Sequence, residues 1–153
     1  MAVMDSAEGV PRPMIAAVST SLALAALEKG RLGEARHHLT SALEQAAVSG
    51  DAQLTGLAVV GCAAYALAEG ANARAAVLLG AAAAVKGIAT VVEPDHVRVT
   101  HATRSVLPPG SFDLHFARGH ALDTPAALDL ASTFTDGPFT DGPSTDEPFT
   151  GGF

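Results

Sequence analysis

The six histidines are the residues whose type most directly suggests chemistry, because imidazole binds transition metals and transfers protons near neutral pH. They form three close pairs: His37 and His38, His96 and His101, and His115 and His120. The first two are adjacent and would point to different sides of a helix. Members of the other pairs are five residues apart, whereas two histidines that bind zinc from one helix are four apart. We therefore expect surface or packing histidines and predict no metal ligand.

Cys62 is the only cysteine, so no disulfide can form within one chain. A reducing, cytoplasmic setting is expected. Cys62 lies inside an apolar run, far from any helix N-terminus that would lower the pKa of its thiol. We expect a small core residue and not a nucleophile.

Glu93 and Asp95 are the one close acidic pair in the part of the chain predicted to fold. They flank Pro94 ahead of a predicted helix, where negative charge interacts favourably with the helix dipole. The chain has no Gly-x-Ser-x-Gly nucleophile motif and no phosphate-binding Gly-Lys-Ser/Thr loop. The sequence predicts no catalytic residue, no cofactor and no enzymatic activity.

Two segments forty residues apart are nearly alike. Residues 27–36 read LEKGRLGEAR, and residues 67–76 read LAEGANARAA. Each places a helix-ending glycine, Gly30 or Gly70, between two stretches rich in Ala and Leu. This pattern predicts stacked helical hairpins, an architecture that builds binding surfaces.

Apolar spacings of three and four residues, together with capping residues, predict the helices. The predicted helices cover residues 13–29, 32–48, 52–69, 72–86 and 94–106, followed by a short helix from Ser111 that Gly119 ends and a last helix over 124–131. The third helix is apolar nearly all round, which indicates an interior position. The β-branched stretch 87–93 predicts a loop between helices.

Particular residues are expected to fix these helices in place. Leu22, Leu24 and Leu27 are predicted to form the buried stripe of the first helix. Glycines 61 and 80 fall inside helices and are predicted to allow close helix contact. The predicted N-caps are Asp51, Asn72, Ser111 and Thr124.

Charge is distributed unevenly along the chain. Residues 1–118 hold all nine Lys and Arg and ten acidic residues, whereas residues 119–153 hold six acidic residues and no Lys or Arg. No basic stripe is present to neutralise phosphates, which argues against direct nucleic-acid binding. Residues 132–153 repeat the unit FTDGP, a composition that predicts disorder or, alternatively, a repeated short binding motif. Residues 1–12 are predicted to be a disordered leader.

Two apolar stretches raise the question of a membrane. Residues 14–27 follow Arg12 as in a signal peptide, but Asp5 and Glu8 precede them. Residues 52–68 carry no charge but are diluted by Ala, Gly, Thr and Gln, whereas a spanning helix needs about 20 strongly apolar residues. We expect no membrane association, with a membrane-associated or exported small protein as an alternative.

The repeat resembles a divergent tetratricopeptide repeat. Aligning Gly30 with the loop glycine of that family places Ala35, Leu39 and Ala42 at the small, bulky and small positions of the second helix, and Gly70 does the same for residues 75, 79 and 82. The aromatic and proline positions of the family do not match, and the spacing is forty residues where thirty-four is usual.

A second resemblance covers about residues 19–131. The sequences ALAEG at 66–70 and RAAVLLGAA at 74–82, then Phe112, Phe116, GHAL at 119–122 and ALDLA at 127–131, are similar to the C-terminal part of bacterial LuxR/MalT-like and BTAD-containing ATPase transcriptional regulators. His120 replaces a usual Arg, and PA at 125–126 replaces an acidic pair. The DNA-binding and ATPase elements of those regulators lie outside the similar segment.

Together these features predict an all-α protein. Two antiparallel hairpins over residues 13–131 stack in a right-handed sense, C-terminal helices cap them, and helices 1 and 3 form an inner wall of Leu and Ala. The expected function is a protein–protein interaction module of bacterial transcriptional control. Because two hairpins are fewer than the roughly three repeats that stability needs, we expect self-association or docking on a partner protein. The alternative is a truncated, non-functional remnant of such a regulator.

Overall fold

The computed structural model describes residues 11–86 and 93–135, which contain seven α-helices and no strand. The helices are α1 (Arg12–Glu28), α2 (Leu32–Ser49), α3 (Ala52–Ala68), α4 (Asn72–Lys86), α5 (Pro94–Val106), α6 (Ser111–His120) and α7 (Thr124–Thr135). The all-α prediction is therefore confirmed, and α7 continues four residues beyond its predicted end. The predicted leader up to residue 10, the loop at 87–92 and the tail from 136 lie outside the described residues.

The two halves of the sequence repeat form two helical hairpins with the same loop. Gly30 and Gly70 have φ angles of 73° and 84°, the left-handed conformation that glycine adopts without strain. In each loop the residue after the glycine donates its N–H to the carbonyl four residues before the glycine, at 2.9 Å in the first hairpin and 2.8 Å in the second. Three-residue loops of this kind reverse the chain, so α1 packs on α2 and α3 packs on α4.

The core is centred on α3, as its uniform hydrophobicity predicts. Ten of the seventeen residues of α3 are buried, and the helix contacts α1, α2, α4, α5 and α7. The predicted stripe of α2 is also buried: Ala35, Leu39, Ala42, Leu43 and Ala46. Many of these side chains are alanine, so the helices pack closely while each contact buries little apolar area.

The predicted buried stripe of α1 is wrong at one position. Leu24 is buried and Leu27 packs partly against the core, but 47% of Leu22 is exposed. Residues two apart on an α-helix are about 200° apart, so Leu22 and Leu24 cannot share a narrow face. Ala23 and Ala26 supply the buried side in its place.

The C-terminal helices cover the second hairpin and join the first. Helix α5 packs on α3 and α4, α6 packs on α4, and α7 crosses α2, α3 and α4. The guanidinium of Arg74 donates a hydrogen bond to the Leu130 carbonyl at 3.0 Å, which ties α7 to α4. The predicted stacked hairpins with C-terminal capping helices are thus confirmed.

Glycines mark where helices meet most closely. A Cβ on Gly61 would lie 2.7 Å from Leu39 Cδ2, and one on Gly80 would overlap the Phe116 carbonyl, so the predicted close contacts are confirmed. The prediction that Gly119 ends its helix is wrong, since α6 continues to His120. Gly119 instead lies against α4, where a Cβ would overlap the Val77 carbonyl.

The N-cap predictions are correct at one helix and wrong at three. Asp51 accepts a hydrogen bond from the Leu54 N–H at 3.1 Å. The other predicted caps are each the first residue inside the helix: Asn72, Ser111 and Thr124. At α7 the cap is Asp123, whose carboxylate accepts from the Ala126 N–H at 2.9 Å.

Candidate functional site

The structure does not gather the predicted chemical residues into a reactive centre. Within residues 11–86 and 93–135, no three His, Cys, Asp or Glu side chains are close enough together to hold a metal ion. Cys62 is fully buried, and burial raises the pKa of its thiol to about 12, opposed by the positive charge of Arg74. Cys62 is therefore an unreactive core residue, as its place in the sequence predicts.

A cleft with a volume of about 390 Å³ lies between α5 and α6 and is here called the α5–α6 cleft. Its lining residues are His96, Val97, Thr100, His101, Arg104, Phe112 and Phe116. The structure thus brings one predicted histidine pair, 96 and 101, to the same site. His37 and His38 pack edge to face on α2 with ring centroids 5.6 Å apart.

Helix α6 supplies the aromatic wall of the cleft. Phe112 and Phe116, one turn apart, stack with ring centroids 5.6 Å apart. The guanidinium carbon of Arg104 lies 4.1 Å from the centroid of the Phe112 ring, a cation–π contact. Arg104 also donates to Asp113 at 3.2 Å, but 55% and 72% of these two side chains are exposed, so this pair contributes little.

Helix α5 supplies polar atoms that lack partners among the described residues. His96 Nδ1 and Thr100 Oγ1, one helical turn apart, are both buried and make no hydrogen bond there. Thr103, in the same helix, donates to the carbonyl of Val99 at 2.7 Å. Unsatisfied buried polar groups are unfavourable, so these two groups lower the stability of α5 in this packing.

His96 is uncharged near neutral pH. Burial lowers the pKa of its imidazole, the positive charge of Lys86 lowers it further, and Glu93 partly opposes both. A neutral imidazole has one donor and one acceptor nitrogen, so it can pair with either a carbonyl or an N–H.

A buried ion pair lies beside His96, and the sequence did not predict it. Lys86 Nζ is completely buried and lies 3.1 Å from Glu93 Oε2. The aliphatic part of the Lys86 side chain crosses Gly56 so closely that a Cβ there would overlap it. Glu93, predicted only as a favourable helix charge, makes no capping hydrogen bond. The only sequence feature that could have indicated this packing of Lys86 is Gly56, a glycine inside an apolar helix.

A second concave surface, the inner groove, runs along α1, α3 and α5 and has a volume of about 180 Å³. Its lining residues are Leu24, Leu27, Glu28, Ala64, Leu67, Ala68, Arg98, Val99 and Ala102. It contains part of the Leu and Ala wall predicted for helices 1 and 3, and α5 completes it.

A third surface lies on the outer side of α1. Met14, Val18 and Leu22 recur every four residues and are 55%, 51% and 47% exposed. This spacing places them on one side of the helix. These three residues, here called the α1 stripe, form the longest row of exposed large apolar side chains on any described helix.

No protein family, characterised protein or solved structure shows significant similarity to the chain. None of the described helices has both the length and the apolar character needed to cross a membrane.

Proposed function

We propose that the chain is a helical-repeat module for protein–protein interaction, and that its contact surface is the α1 stripe. The end faces of helical-repeat arrays are normally polar, because an apolar end would expose the surface that packs on the next repeat. Helix α1 begins the described array yet carries the exposed residues Met14, Val18 and Leu22. This observation favours a further repeat stacked there, from a second copy of the chain or from a partner.

The proposed cellular role follows from the resemblance to the C-terminal ends of LuxR/MalT-like and BTAD-containing regulators. A module of this class acts in the cytoplasm, in bacterial transcriptional control, with no catalysis or DNA contact of its own. The near balance of charge in residues 1–118 supports the part of this proposal that excludes direct DNA contact.

A matched pair of charge substitutions tests the proposed surface. Val18→Glu introduces a charge into the α1 stripe, whereas Val48→Glu introduces the same charge at a residue of α2 that is 64% exposed. We expect the unchanged chain and V48E to elute as dimers or larger assemblies at micromolar concentration, and V18E to elute as a monomer. Light scattering after size-exclusion chromatography gives the masses, and circular dichroism checks that both variants fold.

Two results would contradict the proposal. One is a monomeric unchanged chain that elutes with its own mass and melts sharply. The other is an equal loss of assembly in V18E and V48E, because this would show that added charge, and not the α1 stripe, controls association.

A further inference from the structure

The α5–α6 cleft and the C-terminal tail have complementary chemistry. The cleft combines the stacked rings of Phe112 and Phe116 with the Arg104 guanidinium. Residues 136–153, which follow α7 and lie outside the described residues, contain three Phe and four acidic residues but no Lys or Arg. We propose that this tail docks in the α5–α6 cleft of its own chain.

The tail contains two short units that match the cleft, each with one Phe and one acidic residue two positions apart. Phe139 lies two residues before Asp141, and Phe149 lies two residues after Glu147. In an extended segment, residues two apart point to the same side and are about 7 Å apart. One unit therefore presents a ring and a carboxylate together to a site where a guanidinium lies over a phenylalanine.

Each part of the unit has a partner in the cleft. The tail phenylalanine packs against Phe112 and Phe116, since offset and edge-to-face aromatic pairs are favourable. The tail carboxylate takes the place of Asp113 on Arg104, a replacement made easy by the exposure of the existing pair.

The tail is long enough to reach the cleft. Helix α7 ends at Thr135, so Phe149 is fourteen residues further along and can lie up to about 48 Å away. A domain of this size is about 35 Å across. Because the tail follows the surface, the unit at 147–149 can reach most but not all of it, and reach favours this unit over the one at 139–141.

A paramagnetic label on the tail tests the contact in the full chain. Ser144→Cys places a thiol between the two units, and the label attaches there alone because Cys62 is buried and its thiol has a pKa of about 12. We expect a nitroxide at residue 144 to broaden the backbone amide NMR signals of Arg104, Phe112 and Phe116 severalfold more than those of exposed residues in α2.

Three variants in the labelled chain identify the groups responsible. The double substitution F139A/F149A should abolish the selective broadening. Arg104→Gln should reduce it strongly, whereas Arg98→Gln, which changes an equally exposed arginine of α5 that pairs with Asp95, should leave it unchanged. Salt at about 1 M, where the Debye length is about 3 Å, should weaken it.

The proposal is overturned if broadening is spread evenly over the surface or persists in F139A/F149A. A second sample mixes spin-labelled chains without isotope enrichment with isotope-enriched chains without a label. The proposal is also overturned if the selective broadening appears only in this mixture, because the tail would then occupy the cleft of a second copy. The V18E variant should retain the contact, so this test and the test of the α1 stripe can fail independently.

Discussion

At the scale of single residues, the junction of α4 and α5 concentrates the charge buried in this fold. Lys86 Nζ is removed from solvent and is paired with Glu93, which keeps 27% of its side chain exposed. His96 lies close enough for both charges to affect its pKa. Removing one member of a buried pair leaves an uncompensated charge, whereas an apolar replacement of the buried member does not.

The ion pair gives an asymmetric prediction for stability. Glu93→Ala should lower the free energy of unfolding by about 2 kcal/mol, less than a fully buried pair because Glu93 is partly exposed. Lys86→Met, which keeps the aliphatic chain across Gly56, should change it by less than about 1 kcal/mol. Urea unfolding followed by circular dichroism measures both, with Asp95→Ala as the exposed control.

Equal, small losses for Glu93→Ala and Asp95→Ala would show that the buried pair contributes nothing particular. The sequence could not predict this pair, because Lys86 ends α4 and Glu93 precedes α5, so the two residues meet only when these helices pack.

His96 predicts a pH dependence of stability. Its pKa in the folded protein lies below the ordinary value of 6.5, so the unfolded chain binds the proton more readily. Its contribution is therefore complete above pH 6.5 and is lost as the pH falls towards the lowered value. Between pH 6.5 and 5.5 the loss is at most about 1 kcal/mol.

Urea titrations at pH 7.5 and 5.5 compare His96→Asn with His101→Asn, an exposed histidine of the same helix. The first variant should flatten the acid limb of the stability profile, and the second should not. Identical profiles for His96→Asn and the unchanged chain would contradict the assignment.

At the scale of elements, the fold depends on contacts that only glycine allows. Gly80 on α4 faces the Phe116 carbonyl, and Gly119 on α6 faces the Val77 carbonyl, so the two backbones touch directly. This crossing holds the α5–α6 cleft against the second hairpin.

Alanine substitutions at the crossing should separate helix propensity from packing. Gly80→Ala and Gly119→Ala should each destabilise the fold by about 3 kcal/mol, because backbone cannot move aside as a side chain can. Gly33→Ala, in α2 with nothing within 4 Å of the added Cβ, should stabilise it by about 0.5 kcal/mol. Thermal unfolding measures all three, and a neutral Gly119→Ala would disprove the close crossing.

Sequence predicted these elements where the signal is local. The loops at Gly30 and Gly70 were predictable because a left-handed glycine ends a helix through its own backbone. The role of Gly119 was not, since a helix-ending glycine and a crossing glycine look the same until the facing helix is known. The α5–α6 cleft was missed for the same reason, because His96 and Phe112 belong to different helices.

At the scale of the whole molecule, the described helices form an array whose first helix, α1, exposes a row of large apolar side chains. The interior is covered on both sides of α3, whereas the α1 stripe is exposed. The apolar residues along α1 could be read from the sequence. Which side of α1 becomes buried, however, depends on where α2 and α3 pack. Leu22 was therefore placed on the wrong side.

The proposed self-association through the α1 stripe predicts that stability depends on concentration, because a partner that binds only the folded chain shifts the unfolding equilibrium. The most direct test is the thermal midpoint of the full chain, followed by circular dichroism over a hundredfold range of concentration. The predicted result is a midpoint that rises with concentration in the unchanged chain. This concentration dependence should disappear in V18E and remain in V48E. A sharp transition at the same temperature throughout, from a chain that scatters light as a monomer, would contradict it.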